Sequence, residues 1–198
     1  MTEAADEADQ IRVVLADANV LYSRVLRDYL LYAADQEIIT VAWSVEIMRE
    51  VTGHLKQNVA GFDDTAADRL VSAMNTAYPL AEVEPTEEAV ALLAEVTLPD
   101  EDDRHVLVAA ISSQATVLCT ANRSDFPADV VDDLGLEVLT PDELLTRLVG
   151  EFEPQMLAAH RAAVTSLSGA TDDSTVAALR KAGVPQTAQL MAAVLGIS

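Results

Sequence analysis

Short apolar runs alternate with segments of helical spacing along most of this chain, and this alternation limits the possible folds more than any other feature. Four runs predict buried strands: RVVLAD (12–17), IITVAW (38–43), TVLCT (116–120) and LEVLT (136–140). Helical segments between them favour right-handed crossovers and a mostly parallel sheet with helices on both faces. The pattern therefore predicts an α/β sandwich of three layers, in which ligands bind at the carboxyl ends of the strands.

Capping residues mark where the helical segments begin. Ser44 suits an N-cap, Asp63 and Thr86 open two later segments, and Pro141 suits the first position of another. These signals predict helices at 19–35, 45–58, 63–77, 86–95, about 102–113 and 141–150. Residues 81–83 (AEV) fit either a short strand or a turn.

The chain of 198 residues divides into three segments by composition. Residues 1–10 carry four acids and no base, without the basic start and apolar run of a secretory signal, and predict a disordered tail. Residues 11–150 hold the strand signals and predict the main domain. Beyond Gly150 these signals stop, and stretches of helical spacing predict a C-terminal helical extension over 151–198, packed on the main domain.

The charge balance is strongly acidic. The formal net charge is −21, and most of the excess lies in residues 11–150, with 25 acids against 9 bases. This balance argues against nucleic-acid binding through a broad basic surface. No apolar run reaches the length of a membrane span, and the single Cys119 has no partner for an internal disulfide. We therefore expect a cytoplasmic protein without membrane contact.

Several carboxylates fall where a predicted strand ends or the next helix begins. They are Asp17 after the first strand, Glu50 on the helix after the second, Asp100, Asp102 and Asp103 in an acidic turn, and Asp125 after the strand at 116–120. Gathered in one cleft, these groups would repel one another unless a cation lay among them. All-oxygen ligation suits Mg²⁺ or Mn²⁺, whereas zinc would need His and Cys clusters that the sequence lacks. Taken alone, Asp17 fits a helix cap equally well, and part of the acidic turn fits a solvated surface.

Four segments also resemble the successive motifs of PIN-domain nucleases. They are DANVLYS (17–23), SVEIMREV (44–51), PDEDDRHVLVAAI (99–111) and TANRSDFP (120–127), and the resemblance covers about residues 11–145. It implies a Rossmann-like α/β sandwich with a divalent-metal site that hydrolyses RNA phosphodiester bonds through a metal-activated water. Similarity to the VapC branch implies the toxin of a toxin–antitoxin pair, a homodimer and inhibition by a small antitoxin. The C-terminal helices resemble an extension found in one subgroup of these toxins.

The resemblance also suggests roles for individual residues. The expected catalytic metal ligands are Asp17, Glu50, Asp103 and Asp125, with Asp100 and Asp102 as rivals for the third place. Thr120 is expected to place its hydroxyl near metal-bound water or phosphate, and Asn19 to orient Asp17. The expected substrate contacts are made by Asn19, Asn122, Arg104 and Arg123.

Glu46 and Glu50 lie four residues apart on one helix, so spacing alone permits either to reach the site. With Ser44 as N-cap, the helix dipole explains Glu46 in the first turn but not Glu50, which is also the glutamate that matches the family motif. We therefore assign Glu50 to the metal. The three histidines, His54, His105 and His160, are expected to be surface or helix-packing residues.

The sequence also bears on functions other than that of a toxin nuclease. A receiver-like or phosphatase-like phosphotransfer protein would need a lysine just beyond a later strand, and neither Lys56 nor Lys181 is so placed. A housekeeping RNA-processing nuclease and a non-catalytic module that binds RNA or protein remain alternatives. If the chain is a toxin, we expect its antitoxin to carry a basic segment that enters the acidic cleft.

Overall fold

The computed structural model describes residues 12–197, so the tail predicted for residues 1–10 lies outside the described residues. Its sheet has five strands, all paired in parallel: β1 (Arg12–Ala16), β2 (Ile39–Ser44), β3 (Glu82–Val83), β4 (Val117–Cys119) and β5 (Glu137–Leu139). Their spatial order is β3-β2-β1-β4-β5. The predicted α/β class and parallel sheet are confirmed, and residues 81–83 contribute the short edge strand β3.

Eleven helices accompany the sheet within these residues. They are α1 (Ala18–Leu21), α2 (Arg24–Asp35), α3 (Val45–Asn58), α4 (Asp64–Ala77), α5 (Glu87–Leu93), α6 (Arg104–Ser112), α7 (Ala128–Asp133), α8 (Pro141–Glu151), α9 (Glu153–Ser166), α10 (Asp172–Lys181) and α11 (Pro185–Leu195). Short 3₁₀ turns at Glu101–Asp103 and Arg123–Asp125 add to these.

Two local features differ from the sequence prediction. The helix expected over 19–35 is broken, because the extended backbone of Ser23 ends α1 and begins α2. Arg27 donates to the carbonyl oxygen of Leu21 at 2.6 Å, which satisfies an acceptor freed by the break. The six-residue helix α7 had no counterpart in the prediction, because so short a segment shows too few turns for helical spacing to be read.

The sheet order places a topological switch point between β1 and β4. From β1 the chain moves outward to β2 and β3, and it then crosses to β4 and β5 on the other side. Right-handed crossovers that run in opposite directions place their helices on opposite faces of the sheet. Val14, Leu15 and Ala16 are all completely buried, as expected for a central strand covered on both faces. A ligand site is therefore expected where β1 and β4 end.

The C-terminal helices α9 to α11 share one continuous apolar core with the sheet and its helices. The Tyr29 hydroxyl on α2 lies 2.5 Å from Nδ1 of the fully buried His160 on α9, whose Nε2 lies 3.2 Å from Asp172. The Asp142 carboxylate on α8 accepts hydrogen bonds from the backbone N–H groups of Gln186 and Thr187, at 3.1 and 2.8 Å. None of the helices within residues 12–197 combines the length and apolarity needed to cross a bilayer.

Candidate metal centre

Asp17 lies at the switch point, immediately after β1 and at the N-cap of α1. Its side chain is nearly buried, with 5% exposure. One carboxylate oxygen accepts from the backbone N–H of Ala18 at 2.6 Å, and the other accepts from Asn19 Nδ2 at 2.6 Å and Thr120 Oγ1 at 2.7 Å. Burial raises the pKa of Asp17, and the three donors oppose that rise while Glu50 adds to it. The donors thus hold the Asp17 carboxyl group in place at the end of the central strand.

Thr120 and Asn19 connect the ends of β1 and β4. Asn19 Nδ2 also donates to Thr120 Oγ1 at 3.1 Å, and its Oδ1 accepts from the Ala121 N–H at 2.9 Å. The Asn122 N–H donates to Thr120 Oγ1 at 3.0 Å, so Asn122 contributes its backbone here and its exposed side chain makes no such contact. These bonds give Asn19 the geometry expected of an amide that orients Asp17.

Glu50 and Glu46 differ in their surroundings, although both lie on α3. Ser44 caps the helix through a hydrogen bond from the Ile47 N–H, which places Glu46 in the first turn, where it pairs with Arg49 at 3.5 Å. Glu50 lies one turn further on and pairs instead with Nε2 of His105 at 2.8 Å. The negative charge of Glu50 contributes to raising the pKa values of Asp17, Asp103 and His105.

The three aspartates of the acidic turn differ in their surroundings. Asp100 is the N-cap of the 3₁₀ turn and accepts from the Asp102 N–H at 2.9 Å, while the side chain of Asp102 is exposed. Asp103 is partly buried at the start of α6. Its pKa is raised to about 6, first by desolvation and then by the charges of Asp125, Asp17, Asp100 and Glu50. Asp103 therefore lies within electrostatic range of the other candidate ligands.

Asp125 ends the second 3₁₀ turn, five residues beyond Thr120. Its carboxylate is the largest charge contribution to the raised pKa of Asp103, ahead of Asp17. Asp125 therefore lies within electrostatic range of Asp103 in the acidic turn. Its only side-chain hydrogen bond within the described residues is a long one from Ser124, at 3.4 Å.

Two observations test whether these residues suit a divalent cation. Among residues 12–197, no group of three or more His, Cys, Asp or Glu side chains is close enough to hold a metal ion as the side chains stand. The pKa of Asp103, however, shows four other carboxylates acting on one group. Like charges turn away from one another when no cation lies between them, and rotation about side-chain bonds is easier than movement of a strand end. The candidate ligands are all carboxylates, and such an all-oxygen donor set suits Mg²⁺ or Mn²⁺.

The two arginines expected at the substrate have different surroundings. Arg104 donates to the carbonyl oxygens of Leu93 and Val96 and to the Glu101 carboxylate, so all its nitrogen atoms have protein partners. These contacts give Arg104 a structural role in the turn before α6 and leave none of its nitrogen atoms without a protein partner for binding phosphate. Arg123 is half exposed and makes a surface pair with Glu143 at 2.9 Å, which leaves its guanidinium able to exchange partners.

His105 is a residue at this centre whose role the sequence did not indicate. It was expected to be a surface or packing residue, yet it contacts Glu50, and this hydrogen bond raises the pKa of His105 against the effect of burial. The available signal was its position two residues after Asp103. Sequence spacing alone does not show that α6 faces α3. His160, by contrast, is the helix-packing residue it was expected to be.

A cavity of about 1060 Å³ adjoins the centre. It lies between α2 and the C-terminal helices, with Asn19 at the end that faces Asp17 and Lys181 of α10 on another wall. Most of its lining is apolar, and Arg24 on its wall is paired with Asp28. The cavity exists only because the C-terminal helices pack beside α2.

The fold and the centre together define an α/β protein in which the nearly buried Asp17 carboxylate lies at the switch point of a parallel sheet. The family model of the PIN domain matches residues 12–124, which is more than half of the chain, and the chain therefore belongs to the PIN-domain family. PIN domains are generally nucleases that use divalent metal ions. The match includes Asp17, Glu50 and Asp103 and ends one residue before Asp125. No curated protein and no solved structure shows significant similarity to the chain.

Proposed function

We propose that this protein is a Mg²⁺- or Mn²⁺-dependent endoribonuclease that hydrolyses RNA phosphodiester bonds. The observation that carries the proposal is the nearly buried Asp17 carboxylate, which three hydrogen-bond donors hold at the switch point of the sheet, within range of the charge of Glu50. Asp17 directly follows β1 and Thr120 directly follows β4, so this hydrogen-bonded pair lies where ligands bind in sheets of this kind. Family membership supplies the reaction class.

The protein's own residues have separable tasks in this proposal. Asp17, Glu50, Asp103 and Asp125 would hold the cation, with Asp100 as a further ligand through water. The cation, when bound, lowers the pKa of water for attack and offsets charge on the phosphate. Thr120 and Asn19 keep Asp17 oriented, and the Thr120 hydroxyl offers a hydrogen bond beside it. The half-exposed Arg123 would exchange Glu143 for a substrate phosphate.

The strongly acidic surface bears on how RNA is held. With a net charge of −21, the chain cannot gain substantial affinity from a broad release of counterions. Attraction for the phosphate must therefore come from the bound cation and from a few cationic side chains at the rim. RNA binding by the proposed nuclease should therefore depend on the metal. A non-catalytic RNA-binding module would not need a metal to bind RNA.

We further propose that the nuclease acts in the cytoplasm as the toxin of a toxin–antitoxin pair and forms a homodimer. The support is the resemblance of the motifs to the VapC branch, together with an acidic cleft that complements a basic inhibitory segment. Induced production of the protein in a bacterial host should arrest growth, and production of a small DNA-binding protein encoded beside it should restore growth. Growth that continues normally with active nuclease present would favour the housekeeping alternative.

The test of the nuclease proposal is incubation of the pure protein with total RNA, with EDTA or with Mn²⁺, followed by mapping of the cleaved ends. We expect cleavage with Mn²⁺ alone. Asp17→Asn should abolish it and preserve the fold, because the change removes the anionic charge but little volume. Asp68→Asn, at an exposed position on α4, is the matched control and should cleave normally. Equal Mn²⁺-dependent cleavage by both variants would refute the proposed centre.

A further inference from the structure

His105 joins two helices that meet at the candidate centre. It lies in the first turn of α6, and its Nε2 is 2.8 Å from Oε1 of Glu50 in the second turn of α3. A carboxylate can only accept, so Nε2–H is the donor of this hydrogen bond. The ring thereby links the helix that follows the acidic turn to the helix that carries the candidate glutamate.

The other ring nitrogen of His105 is left without a partner. Within the described residues, Nδ1 is buried and has no hydrogen bond, and it is the one buried side-chain nitrogen or oxygen in that state. The side chain as a whole has 24% exposure, so its two nitrogens have different surroundings. An unsatisfied buried polar atom costs free energy, and a packing residue would avoid that cost. The contact with Glu50 is the gain that offsets it.

Glu50 has few other restraints. Its side chain has 44% exposure, and His105 is its only side-chain partner within residues 12–197. A glutamate has three rotatable side-chain bonds, so a half-exposed one without a partner would sample many positions. Asp17, in comparison, is held by three donors. The bond from His105 occupies Oε1 of Glu50 and leaves Oε2 free of protein partners.

We propose that His105 is a positioning residue that orients Glu50 for metal binding. The inference rests on the proposed function, because it takes Glu50 to be a metal ligand. Removal of a residue that orients a metal ligand in this way typically weakens metal binding about 10- to 100-fold. The rival role for His105 is structural, as a tether between α3 and α6 that contributes to stability and nothing else.

The test uses Mn²⁺ affinity, measured by calorimetric titration of the full chain. His105→Gln places an amide N–H near the position of Nε2 and should keep the affinity within about three-fold of the parent, whereas His105→Asn is polar but too short and should weaken it about ten-fold. His54→Asn, a substitution of the histidine on α3 whose side chain is exposed, is the matched control and should bind as the parent does. Thermal unfolding of each variant checks that the fold is intact.

A double-mutant cycle separates positioning from tethering. If His105 acts through Glu50, His105→Asn should add less than a two-fold loss of Mn²⁺ affinity when Glu50→Gln is already present. The same ten-fold loss in both backgrounds, or parental affinity in His105→Asn, would overturn the proposal. If Glu50→Gln weakens Mn²⁺ binding and His105→Asn does not, the positioning role alone fails. If the parent protein neither binds Mn²⁺ nor cleaves RNA, the proposed function fails and this inference fails with it.

Discussion

Replacement of Asp103 by asparagine should make the metal-free protein more stable. The neighbouring carboxylates and desolvation raise the pKa of Asp103 from 3.8 to about 6, so its ionised form is disfavoured in the folded state. At 1.36 kcal/mol per pKa unit, the full difference corresponds to about 3 kcal/mol. Because part of the side chain remains in solvent that screens these charges, we reduce the expected gain to about 1 kcal/mol. For a chain of this size, that raises Tm by about 2–4 °C.

The pH dependence of this gain has a definite sign. A carboxyl whose pKa is higher in the folded state favours the folded state when it is protonated, so the wild type loses stability as the pH rises from 3.8 through about 6. Asp103→Asn does not titrate and lacks that loss. The difference in Tm should therefore grow across this interval and remain constant above it.

Thermal unfolding at pH 7.5 with EDTA or with Mn²⁺ is the appropriate assay. Saturating Mn²⁺, at about 100 times the dissociation constant, should add about 2.7 kcal/mol to the stability of the wild type and markedly less to that of Asp103→Asn. The order of the two Tm values should thus reverse when metal is added. Asp102→Asn, at the exposed neighbouring position, is the control and should match the wild type in both conditions. An Asp103→Asn variant that is no more stable than Asp102→Asn without metal, or equally stabilised by Mn²⁺, would refute the reasoning.

Three further predictions concern other parts of the molecule. Glu50→Gln should weaken Mn²⁺ binding and RNA cleavage strongly, while Glu46→Gln should cost under about 1 kcal/mol of stability and spare most activity. If calorimetry shows the larger loss of Mn²⁺ affinity in Glu46→Gln, the assignment of Glu50 as the metal ligand is wrong. Tyr29→Phe leaves Nδ1 of the buried His160 without its partner and should lower the free energy of unfolding in urea by about 1–3 kcal/mol. Tyr22→Phe is its control, since the Tyr22 hydroxyl makes no side-chain hydrogen bond within the described residues, and an equal loss in both variants would show that the hydroxyl contact is unimportant. The inhibitor should associate through a basic segment, so its association rate in stopped-flow should fall as NaCl is raised; a partner that meets the cleft with an acidic surface would exclude this mode.

Sequence reasoning located most elements within a few residues, because their signals are local. The N-caps at Ser44, Asp63 and Thr86 were recognised from residue type alone, and each accepts the expected backbone hydrogen bond. The break between α1 and α2 was missed, since the apolar spacing continues across Ser23 and only the extended backbone there ends the helix. Within the acidic turn, sequence could not separate Asp103 from its neighbours. In the structure, the Asp100 side chain caps the 3₁₀ turn and Asp102 is exposed, whereas Asp103 is partly buried.

By itself, the sequence determined the α/β class and a set of carboxylates at strand and helix ends. Helical and strand periodicities follow from local backbone geometry, so they can be read along one segment at a time. Only the tertiary structure decided which of these ends meet. The bond from Thr120 to Asp17 spans 103 positions in sequence, and it exists because β4 pairs with β1 at the point where the strand order reverses. The contact of His105 with Glu50 and the cavity beside α2 likewise depend on how helices distant in sequence pack. Which strands and helices pack together depends on the burial of apolar side chains across the whole core, and no single segment contains that information.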